Sequence, residues 1–277
     1  MSASTPAKTP PLTTTERAER QRAVVQALGR VLPADAILYT AEDTTPYECD
    51  GLTAYRERPL VVALPENETQ VQAALQVCHA LQVPVVARGA GTGLSGGAMP
   101  HRMGVTLSMA RFNQIKTVDP VSRTAVVQCG VRNLAISEAA APYGLYYAPD
   151  PSSQIACTIG GNVAENSGGV HCLKYGLTVH NVLKVRGFTI EGDPIEFGSD
   201  ALDTSGYDLL AVLVGSEGML AVATEVTVKL VPQPQLARCI MASFDDVRKA
   251  GEAVAAVIAA GIIPAGLEMM DKLAIQA

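Results

Sequence analysis

The sequence predicts an α+β fold, and three observations support this prediction. The chain has 277 residues, of which 48% are hydrophobic and 17% charged, so it can bury one large core or two ordinary ones. Residues 60–87 have the apolar pattern of a strand, a helix and a second strand. Beyond Pro100, short strand-like runs follow one another with turn residues between them. A β-α-β unit followed by such strands indicates mixed architecture.

The composition limits the possible partners and the compartment. The 21 Lys and Arg residues stand against 27 Asp and Glu, and the net charge of −6 would repel a nucleic acid backbone. The six cysteines contain no C-x-x-C pair, so we expect them to be reduced in a cytoplasmic protein. The longest apolar run, residues 253–266, is interrupted by Gly261 and Pro264 and is too short for a membrane span. We therefore predict no nucleic acid partner and no membrane crossing.

The N-terminal part divides into a tail and a helical segment. Residues 1–15 are rich in Thr and Pro and lack the apolar stretch of a secretory signal, which predicts a disordered tail. Residues 16–54 are expected to form an N-terminal helical segment. A capping box of Thr13 and Glu16 precedes an amphipathic pattern there, which ends before Pro33.

The next stretch of chain is predicted to alternate strands with short helices. Asn67 is expected to cap a helix between strands at 60–64 and 83–87, and a right-handed crossover makes these strands parallel. A hairpin is predicted at residues 115–129, and Asn133 is expected to cap the short helix that follows.

A Pro-rich break at residues 232–234 separates this main body, residues 55–234, from a last piece, residues 235–277. The last piece is expected to contain a strand at 238–244 and a helix at 245–260. A piece of about forty residues cannot bury a core alone. We interpret it as the beginning of a truncated α+β domain.

The strongest chemical signal is a glycine-rich loop, RGAGTGLSGG, at residues 88–97, with five glycines in ten residues after an apolar strand. Without Cβ atoms, consecutive backbone N–H groups can surround an anion such as a pyrophosphate, and the Thr92 and Ser95 hydroxyls can add donors. A mobile glycine linker is the alternative, but linkers do not usually connect a β-α-β unit to another strand of a compact body. The loop therefore predicts phosphate binding.

Two familiar phosphate motifs do not fit this loop. The GxGxxG spacing at residues 91–96 matches the dinucleotide fingerprint, but that fingerprint must open a helix, which Gly97, Pro100 and Gly104 forbid. A nucleoside-triphosphatase P-loop is excluded as well, because no Gly-Lys-Ser/Thr follows. The sequence indicates a diphosphate held by backbone amides without a Rossmann helix.

A second dense segment, PDPSSQIACTIGGNVAENSGG, occupies residues 149–169. Its glycines permit close backbone contact, and its Asn and Ser side chains can donate to the ring carbonyls or phosphates of a flat ligand. Tight turns between strands would explain one Gly-Gly pair but less easily this density. We interpret the segment as ligand-binding.

The motifs RGAGTGLSGG, YYAPDPSSQIACTIGGNVAENSGGVHCLKYGLTVHN and GSEGMLAVATEVTVKL closely resemble those of the FAD-linked oxidases that carry a flavin domain of the vanillyl-alcohol oxidase (PCMH) type. That family includes the D subunit of bacterial glycolate oxidase and the D-lactate and D-2-hydroxyglutarate dehydrogenases. The resemblance extends from about Tyr47 to Asp271. It implies a two-subdomain FAD-binding domain, followed here by the truncated start of an α+β cap domain.

The resemblance also implies which residues bind FAD. The pyrophosphate is expected on the loop, at Arg88, Gly89, Ala90, Gly91, Thr92, Gly93, Leu94, Ser95, Gly96 and Gly97. Contacts to the flavin and ribityl groups are expected at Pro149, Asp150, Ser153, Gly160, Gly161, Asn162, Ala164, Asn166 and Gly168, with later contacts at Glu217 and Gly218. Ala221 departs from the family, which usually has glycine there, and its side chain could crowd a backbone contact. No histidine occupies the position at which some relatives attach the flavin covalently, so noncovalent FAD is expected.

The implied function is that of a 2-hydroxyacid oxidoreductase of the glycolate or D-lactate type. A hydride passes from the α-carbon of the substrate to flavin N5, and electrons continue to an acceptor other than oxygen. The resemblance implies a second flavin subunit and an iron-sulfur subunit as partners, through which a cytoplasmic chain could lie at the inner membrane.

The family's metal-binding and catalytic histidines lie in C-terminal motifs that this sequence lacks. His171 could approach the flavin edge, but a packing or hydrogen-bonding role is expected for it. No catalytic or metal residue is therefore assigned, and the chain alone is expected to be inactive.

Two alternatives stay open. One is a module that binds FAD without activity of its own. The other is a different FAD-linked oxidoreductase, such as D-2-hydroxyglutarate dehydrogenase, or a sugar-nucleotide reductase of peptidoglycan synthesis. That reductase shares the flavin domain type, but its resemblance would not extend to the PDPSS and VHCLKYG stretches.

Overall fold

The computed structural model describes residues 14–200 and 206–276, which form three β-sheets with helices packed on them. The α-helices are α1 (Thr14–Leu28), α2 (Ala41–Thr44), α3 (Glu68–Ala80), α4 (Asn133–Ala140), α5 (Ile159–Glu165), α6 (Cys172–Tyr175), α7 (Leu209–Leu213), α8 (Val247–Ala259) and α9 (Lys272–Gln276). The strands are β1 (Ile37–Leu38), β2 (Val61–Ala63), β3 (Val85–Arg88), β4 (Val105–Ser108), β5 (Ile115–Asp119), β6 (Thr124–Gln128), β7 (Leu145–Tyr146), β8 (Val182–Phe188), β9 (Pro194–Gly198), β10 (Val222–Lys229) and β11 (Val231–Pro232).

The first subdomain is built on a four-stranded sheet in the order β1-β2-β4-β3. Strands β2 and β3 each pair in parallel with β4, and β1 pairs antiparallel with β2. Helix α3 connects β2 to β3 and buries Val71, Leu75 and Cys78. Asn67 caps it, since Asn67 Oδ1 accepts a hydrogen bond from the Gln70 N–H at 3.0 Å. The predicted parallel β-α-β unit and its cap are confirmed, although β4 lies between the two strands.

The second subdomain is an antiparallel five-stranded sheet in the order β5-β6-β10-β8-β9. The predicted hairpin of β5 and β6 is confirmed, and Asp119 Oδ1 accepts hydrogen bonds in its turn from the N–H groups of Val121 (2.8 Å) and Ser122 (3.1 Å). Helices α4, α5 and α7 pack against this sheet and contribute Ile136, Leu213 and their neighbours to its core. Strands β7 and β11 form a separate two-stranded ladder.

A charged network joins the two subdomains. Glu225 on β10 forms ion pairs with Lys116 and, at 3.4 Å, with Arg186. Arg186 also lies 3.8 Å from Glu68 at the start of α3, and Glu68 Oε1 accepts a hydrogen bond from Thr224 Oγ1 at 2.8 Å. Burial alone would raise the pKa of Glu225, but the hydrogen bonds and charges of Lys116 and Arg186 lower it overall. The network therefore holds α3 of the first subdomain on the sheet of the second.

Asn133 does not cap α4, so this prediction is wrong. The N-cap residue is Arg132, and the Asn133 side chain is fully buried, where its Nδ2 donates to the Pro149 carbonyl at 2.9 Å. A capping asparagine and an asparagine that bonds inside a core have the same local sequence pattern. The inward bond is made to a residue distant in sequence, which the pattern does not reveal.

The N-terminal segment also differs from its prediction. Helix α1 begins at Thr14, inside the predicted tail, while Thr13 and the rest of residues 1–13 lie outside the described residues. The helix ends at Leu28, well before Pro33. The short strand β1 was not predicted, because two residues are too few to show an alternating pattern.

In the C-terminal segment, residues 233–276, the predicted helix is present as α8. The predicted strand at 238–244 is wrong, because this stretch pairs with no strand among the described residues. Ile240 and Met241 are accordingly 91% and 97% exposed. An apolar stretch becomes a strand only where a neighbouring strand can pair with it.

Candidate functional site

A cleft between the two subdomains brings the two glycine-rich segments together. The first segment contributes its start at the end of β3, and the second contributes the first turn of α5. Of the predicted residues, six line this cleft: Arg88, Gly89, Gly160, Gly161, Ala164 and Gly218. The topology therefore unites two segments that are far apart in sequence.

The loop that follows β3 has no helix, as the sequence predicts. Within the described residues, none of the backbone N–H groups from Ala90 to Gly97 donates a hydrogen bond. Gly91 and Gly96 have left-handed φ angles of +69° and +81°, which glycine adopts without steric cost. Protein N–H groups are normally paired when they leave water, so a row of free donors is suited to an anion.

The two segments touch at the floor of the cleft. Thr158 caps α5, since its Oγ1 accepts a hydrogen bond from the Gly161 N–H at 3.4 Å. A Cβ on Gly89 would collide with this hydroxyl group, and a Cβ on Gly160 would lie 2.7 Å from the Cβ of Cys129. Glycine at both positions permits the close approach. Sequence reasoning missed Thr158 as a site residue, although threonine before Ile-Gly-Gly is a helix-cap signal.

The two asparagines of the second segment form hydrogen bonds inside the protein. Asn162 is 3% exposed, and its Nδ2 donates to Asn133 Oδ1 at 2.9 Å. Through the bond from Asn133 to Pro149, this pair ties α5 to the start of the segment. Asn166 has a φ of +51°, and its Oδ1 accepts a hydrogen bond from the Val179 N–H at 3.0 Å. Both side chains therefore bond to protein groups outside the cleft lining and hold α5 in place.

Asp150, at the start of the same segment, pairs with His171, which lies two residues beyond its end. His171 Nδ1 lies 2.6 Å from Asp150 Oδ2, and the His171 N–H donates to Asp150 Oδ1 at 3.2 Å. Gly169 passes so close that a Cβ there would collide with the Asp150 carbonyl. The pair fixes the chain near Gly169 against Asp150. This is the hydrogen-bonding role predicted for His171.

Two carboxylates face the far end of the loop. A Cβ on Gly97 would lie 2.5 Å from Glu165 Oε1 and 3.4 Å from Glu217 Oε2. Burial raises the pKa of Glu165, and the carboxylates of Glu217 and Asp50 raise it further. Carboxylates accept hydrogen bonds from hydroxyl groups. The loop thus offers N–H donors along its length and acceptors beside Gly97.

The remaining predicted residues lie around the cleft. Residues 90–97 continue the loop beyond Gly89, and the Glu217 N–H donates to the Ala164 carbonyl at 2.8 Å. Ser153 accepts hydrogen bonds from later backbone N–H groups, and Gly168 packs against Leu177. Among the described residues, the following are not part of the cleft lining: residues 90–97, Pro149, Asp150, Ser153, Asn162, Asn166, Gly168 and Glu217.

Other lining residues were not predicted as ligands. Met109, Cys129, Thr158 and Ser216 belong to this group. Ala221, which departs from the family pattern, is 8% exposed and also lines the cleft, so its methyl group occupies space that glycine would leave open. Apart from the Thr158 cap, local sequence gives no sign of these positions, because strand pairing and subdomain packing bring them together.

These residues fit FAD chemically. Free N–H groups match a diphosphate, and the carboxylates of Glu165 and Glu217 match ribityl or ribose hydroxyls. The lining near Met109 and Leu213 is apolar, as a flat ring system requires.

In residues 14–200 and 206–276, no group of three or more His, Cys, Asp or Glu side chains is arranged to hold a metal ion. In the same ranges, no helix has the length and apolar character that crossing a membrane requires.

Comparison with known proteins relates this cleft to flavin enzymes. Residues 59–198 match the family described as "FAD binding domain", and residues 233–277 match "FAD linked oxidases, C-terminal domain". The chain is 65% identical over 254 residues to glycolate oxidase subunit GlcD of Escherichia coli strain K12, covering 92% of this chain and 51% of that protein. It is 37% identical over 246 residues to D-lactate dehydrogenase of Archaeoglobus fulgidus, covering 88% and 53%.

A solved structure of alkyldihydroxyacetonephosphate synthase superposes with a TM-score of 0.75 at 22% identity, covering 94% of this chain and 48% of that one. This likeness concerns the fold alone. The chain spans about half the length of the curated relatives it matches. Together, the similarities confirm the predicted resemblance, the FAD-binding α+β fold and FAD as the cofactor.

Proposed function

Because this chain belongs to the family of FAD-linked oxidases that share this FAD-binding domain, we propose that it is the FAD-binding part of a flavin-dependent 2-hydroxyacid oxidoreductase. Relatives are named for glycolate and D-lactate, which are both small 2-hydroxy acids. The observation that carries the proposal is that Gly89, at the start of the loop, lines the same cleft as Gly160 and Gly161 of α5. The N–H groups of residues 90–97 that follow it donate no hydrogen bond among the described residues.

Bound FAD would supply the redox chemistry, with flavin N5 receiving a hydride from the α-carbon of the 2-hydroxy acid and electrons leaving to an acceptor other than oxygen. The chain's own residues bind and orient the cofactor. The loop N–H groups would hold the diphosphate. The carboxylates of Glu165 and Glu217 would accept hydrogen bonds from the ribityl or ribose hydroxyl groups of the cofactor. Apolar residues around Met109 exclude water from the ring.

The predicted FAD-binding residues take two roles in this proposal. Those that line the cleft or continue the loop contact the cofactor, chiefly through their backbone. Those that lie behind the cleft keep α5 and the start of the second segment in place, as the Asn162–Asn133 hydrogen bond does. The first role is assigned to Arg88 through its backbone and to Gly89 through Gly97, Gly160, Gly161, Ala164, Glu217 and Gly218, and the second to Pro149, Asp150, Ser153, Asn162, Asn166 and Gly168.

The proposed organisation follows the sequence prediction. Residues 55–234 form the FAD-binding domain, and residues 235–277 begin a cap domain. The similar E. coli protein is named as a subunit, which supports a multi-subunit complex. Within it we assign a second flavin subunit and an iron-sulfur subunit as partners, which could hold this cytoplasmic chain at the inner membrane.

The proposal is tested by titrating the purified chain with FAD, and with FMN and riboflavin as matched ligands that lack the adenylate. We expect one noncovalent FAD per chain and much weaker binding of both shorter flavins, because they lack the diphosphate that the loop would hold. Acid precipitation should release the yellow colour into the supernatant. A pellet that stays yellow contradicts noncovalent binding, and a chain that binds no FAD contradicts the proposed function.

The second candidate function is an FAD-binding module without turnover of its own, which is favoured by a cleft lining that contains no His, Asp or Glu side chain among the described residues. Substrate orientation can supply ~7–11 kcal/mol of a barrier and general-base help ~10²–10⁴-fold. We propose that this chain supplies neither the orientation of the substrate nor the general base. We expect little or no dye-coupled oxidation of glycolate or D-lactate by the FAD-loaded chain, and robust stereospecific turnover would contradict this proposal.

A further inference from the structure

Arg88 is the one predicted pyrophosphate residue with a charged side chain, and its guanidinium contacts protein groups. Nη1 donates to the Cys49 carbonyl at 2.9 Å and lies 3.5 Å from the Ala98 carbonyl. The guanidinium carbon lies 5.6 Å from the centre of the Tyr47 ring, within the range of a cation–π contact. A Cβ on Gly91 would collide with Nη2. The side chain therefore packs against the loop at Gly91. Its guanidinium lies between Ala98, at the end of the loop, and an earlier part of the chain that includes Tyr47 and Cys49.

That earlier part, residues 47–52, is called the support segment below. Gly51 packs directly on the loop, since a Cβ there would lie 2.9 Å from the Thr92 carbonyl and 2.7 Å from the Gly93 carbonyl. Both loop carbonyls thus face the support segment. This contact leaves the N–H groups of the same peptides free for a ligand.

Asp50 supplies a buried negative charge within the support segment. Its side chain is 5% exposed; Oδ1 accepts a hydrogen bond from the Leu52 N–H at 2.9 Å, and Oδ2 has no hydrogen-bond partner among the described residues. Burial lowers the pKa of Arg88, while the charge of Asp50 opposes that shift. Among the described residues Asp50 and Arg88 form no direct ion pair, so the carboxylate acts on the guanidinium as a charge at longer range.

We infer that Arg88 is a positioning residue, which together with the support segment holds the loop in its binding shape, and that its guanidinium is not a ligand of the diphosphate. Where it concerns FAD, this inference rests on the proposed function. The family match begins at residue 59, so the support segment lies outside it and would extend the site. The guanidinium links Cys49 before the loop to Ala98 at its end, which fixes the loop's span.

The test is hydrogen exchange in the FAD-free protein, because a residue that only contacts the ligand has no effect when the ligand is absent. It is measured at two paired amides beside the loop: the Met99 N–H, which donates to the Gly96 carbonyl at 3.0 Å, and the Leu52 N–H, which donates to Asp50 Oδ1 at 2.9 Å. We expect Arg88→Met to raise exchange at these two amides about tenfold, since a hydrogen bond from a charged donor is typically worth that much or more. Tyr47→Leu, which leaves the guanidinium in place, should raise it about threefold. The matched control is Arg248→Met, because Arg248 is exposed on α8, outside both the loop and the support segment.

The outcomes separate the inference from the proposed function. The inference is supported if exchange rises in both variants and if FAD affinity falls more in Arg88→Met than in Tyr47→Leu. Unchanged exchange in both variants overturns it, and if Arg88→Met then also weakens FAD binding, Arg88 is a direct ligand. Should Arg88→Met fail to fold, Tyr47→Leu alone decides by the same criterion. A wild-type chain that binds no FAD contradicts the proposed function but leaves the exchange result interpretable.

Discussion

At Gly93 in the loop glycine leaves space open, whereas at Gly160 and Gly169 in the second segment glycine lets protein groups touch. A Cβ on Gly93 would meet only the Glu165 side chain, at an ordinary 3.6 Å. A Cβ on Gly160 would lie 2.9 Å from the Cys129 carbonyl, and one on Gly169 would collide with Asp150. Glycine density therefore indicates close approach to backbone, but not whether a ligand or the protein itself approaches.

This difference predicts that a substitution at Gly93 and one at Gly160 or Gly169 change different properties of the protein. Replacing a glycine that touches protein should lower the stability of the fold, while replacing one that faces open space should change ligand binding. Hydrogen bonds differ in the same way. Gly160 donates to the Cys129 carbonyl at 2.7 Å, whereas the loop N–H groups from Ala90 to Gly97 have no acceptor among the described residues.

The largest effect is expected for Gly160→Ala. Its new methyl group would overlap Cys129 and force α5 away from the end of β6, at a cost of about 2–3 kcal/mol in the free energy of unfolding. That corresponds to a Tm lowered by roughly 5–10 °C. Gly161→Ala is the matched control, because its Cβ would lie 3.3 Å from a side-chain oxygen. Equal melting temperatures for the two variants would contradict the packing role of Gly160.

A smaller effect, on affinity instead of stability, is expected for Gly93→Asp. A carboxylate about 5 Å from a bound diphosphate should weaken FAD binding roughly 10- to 100-fold. Gly93→Ala should bind FAD nearly as the wild type does, since the methyl group has room. Fluorescence titration measures both variants.

A second control places the same carboxylate elsewhere. Gly251 has no neighbour within 4 Å of its Cβ position, so Gly251→Asp should leave FAD affinity unchanged. Gly104 would be unsuitable, because its Cβ would lie 2.6 Å from the Pro84 carbonyl. Equal FAD affinities for Gly93→Asp and Gly251→Asp would mean that the diphosphate does not lie on this loop.

The sequence predicts those parts of the molecule whose structure is decided locally. The β-α-β unit follows from apolar periodicity, and the hairpin closed at Asp119 follows from its turn residues. The absence of a helix after the loop follows from Gly97 and Pro100. In each case the deciding interactions lie within a few residues of one another.

Contacts between distant parts of the chain could not be predicted in this way. The insertion of β4 between β2 and β3, the inward hydrogen bond of Asn133 and the contact of Tyr47 with Arg88 all depend on such contacts. The missing strand at 238–244 shows the reverse case, in which a suitable pattern has no partner. For the candidate site, the sequence identifies the glycines but not which of them face the cleft.

The smallest effect concerns pH and tests the acidic end of the loop. Burial and the charges of Glu217 and Asp50 hold the pKa of Glu165 above its usual range, so part of its negative charge is lost as the pH falls through that raised value. A diphosphate on the loop repels the ionised form, and its binding should therefore raise the pKa of Glu165 further. Protonated Glu165 keeps a carbonyl oxygen that can accept a hydrogen bond from a cofactor hydroxyl group. FAD affinity is then expected to increase about two- to fivefold as the pH falls from about 8 through the raised pKa. Glu165→Gln should show a flatter pH profile, with affinity at pH 8 close to that of the wild type at low pH. The control is Glu252→Gln, because Glu252 is exposed on α8 and is not part of the cleft lining. If Glu165→Gln keeps the full pH dependence, the carboxylate at the end of α5 does not interact with the bound cofactor.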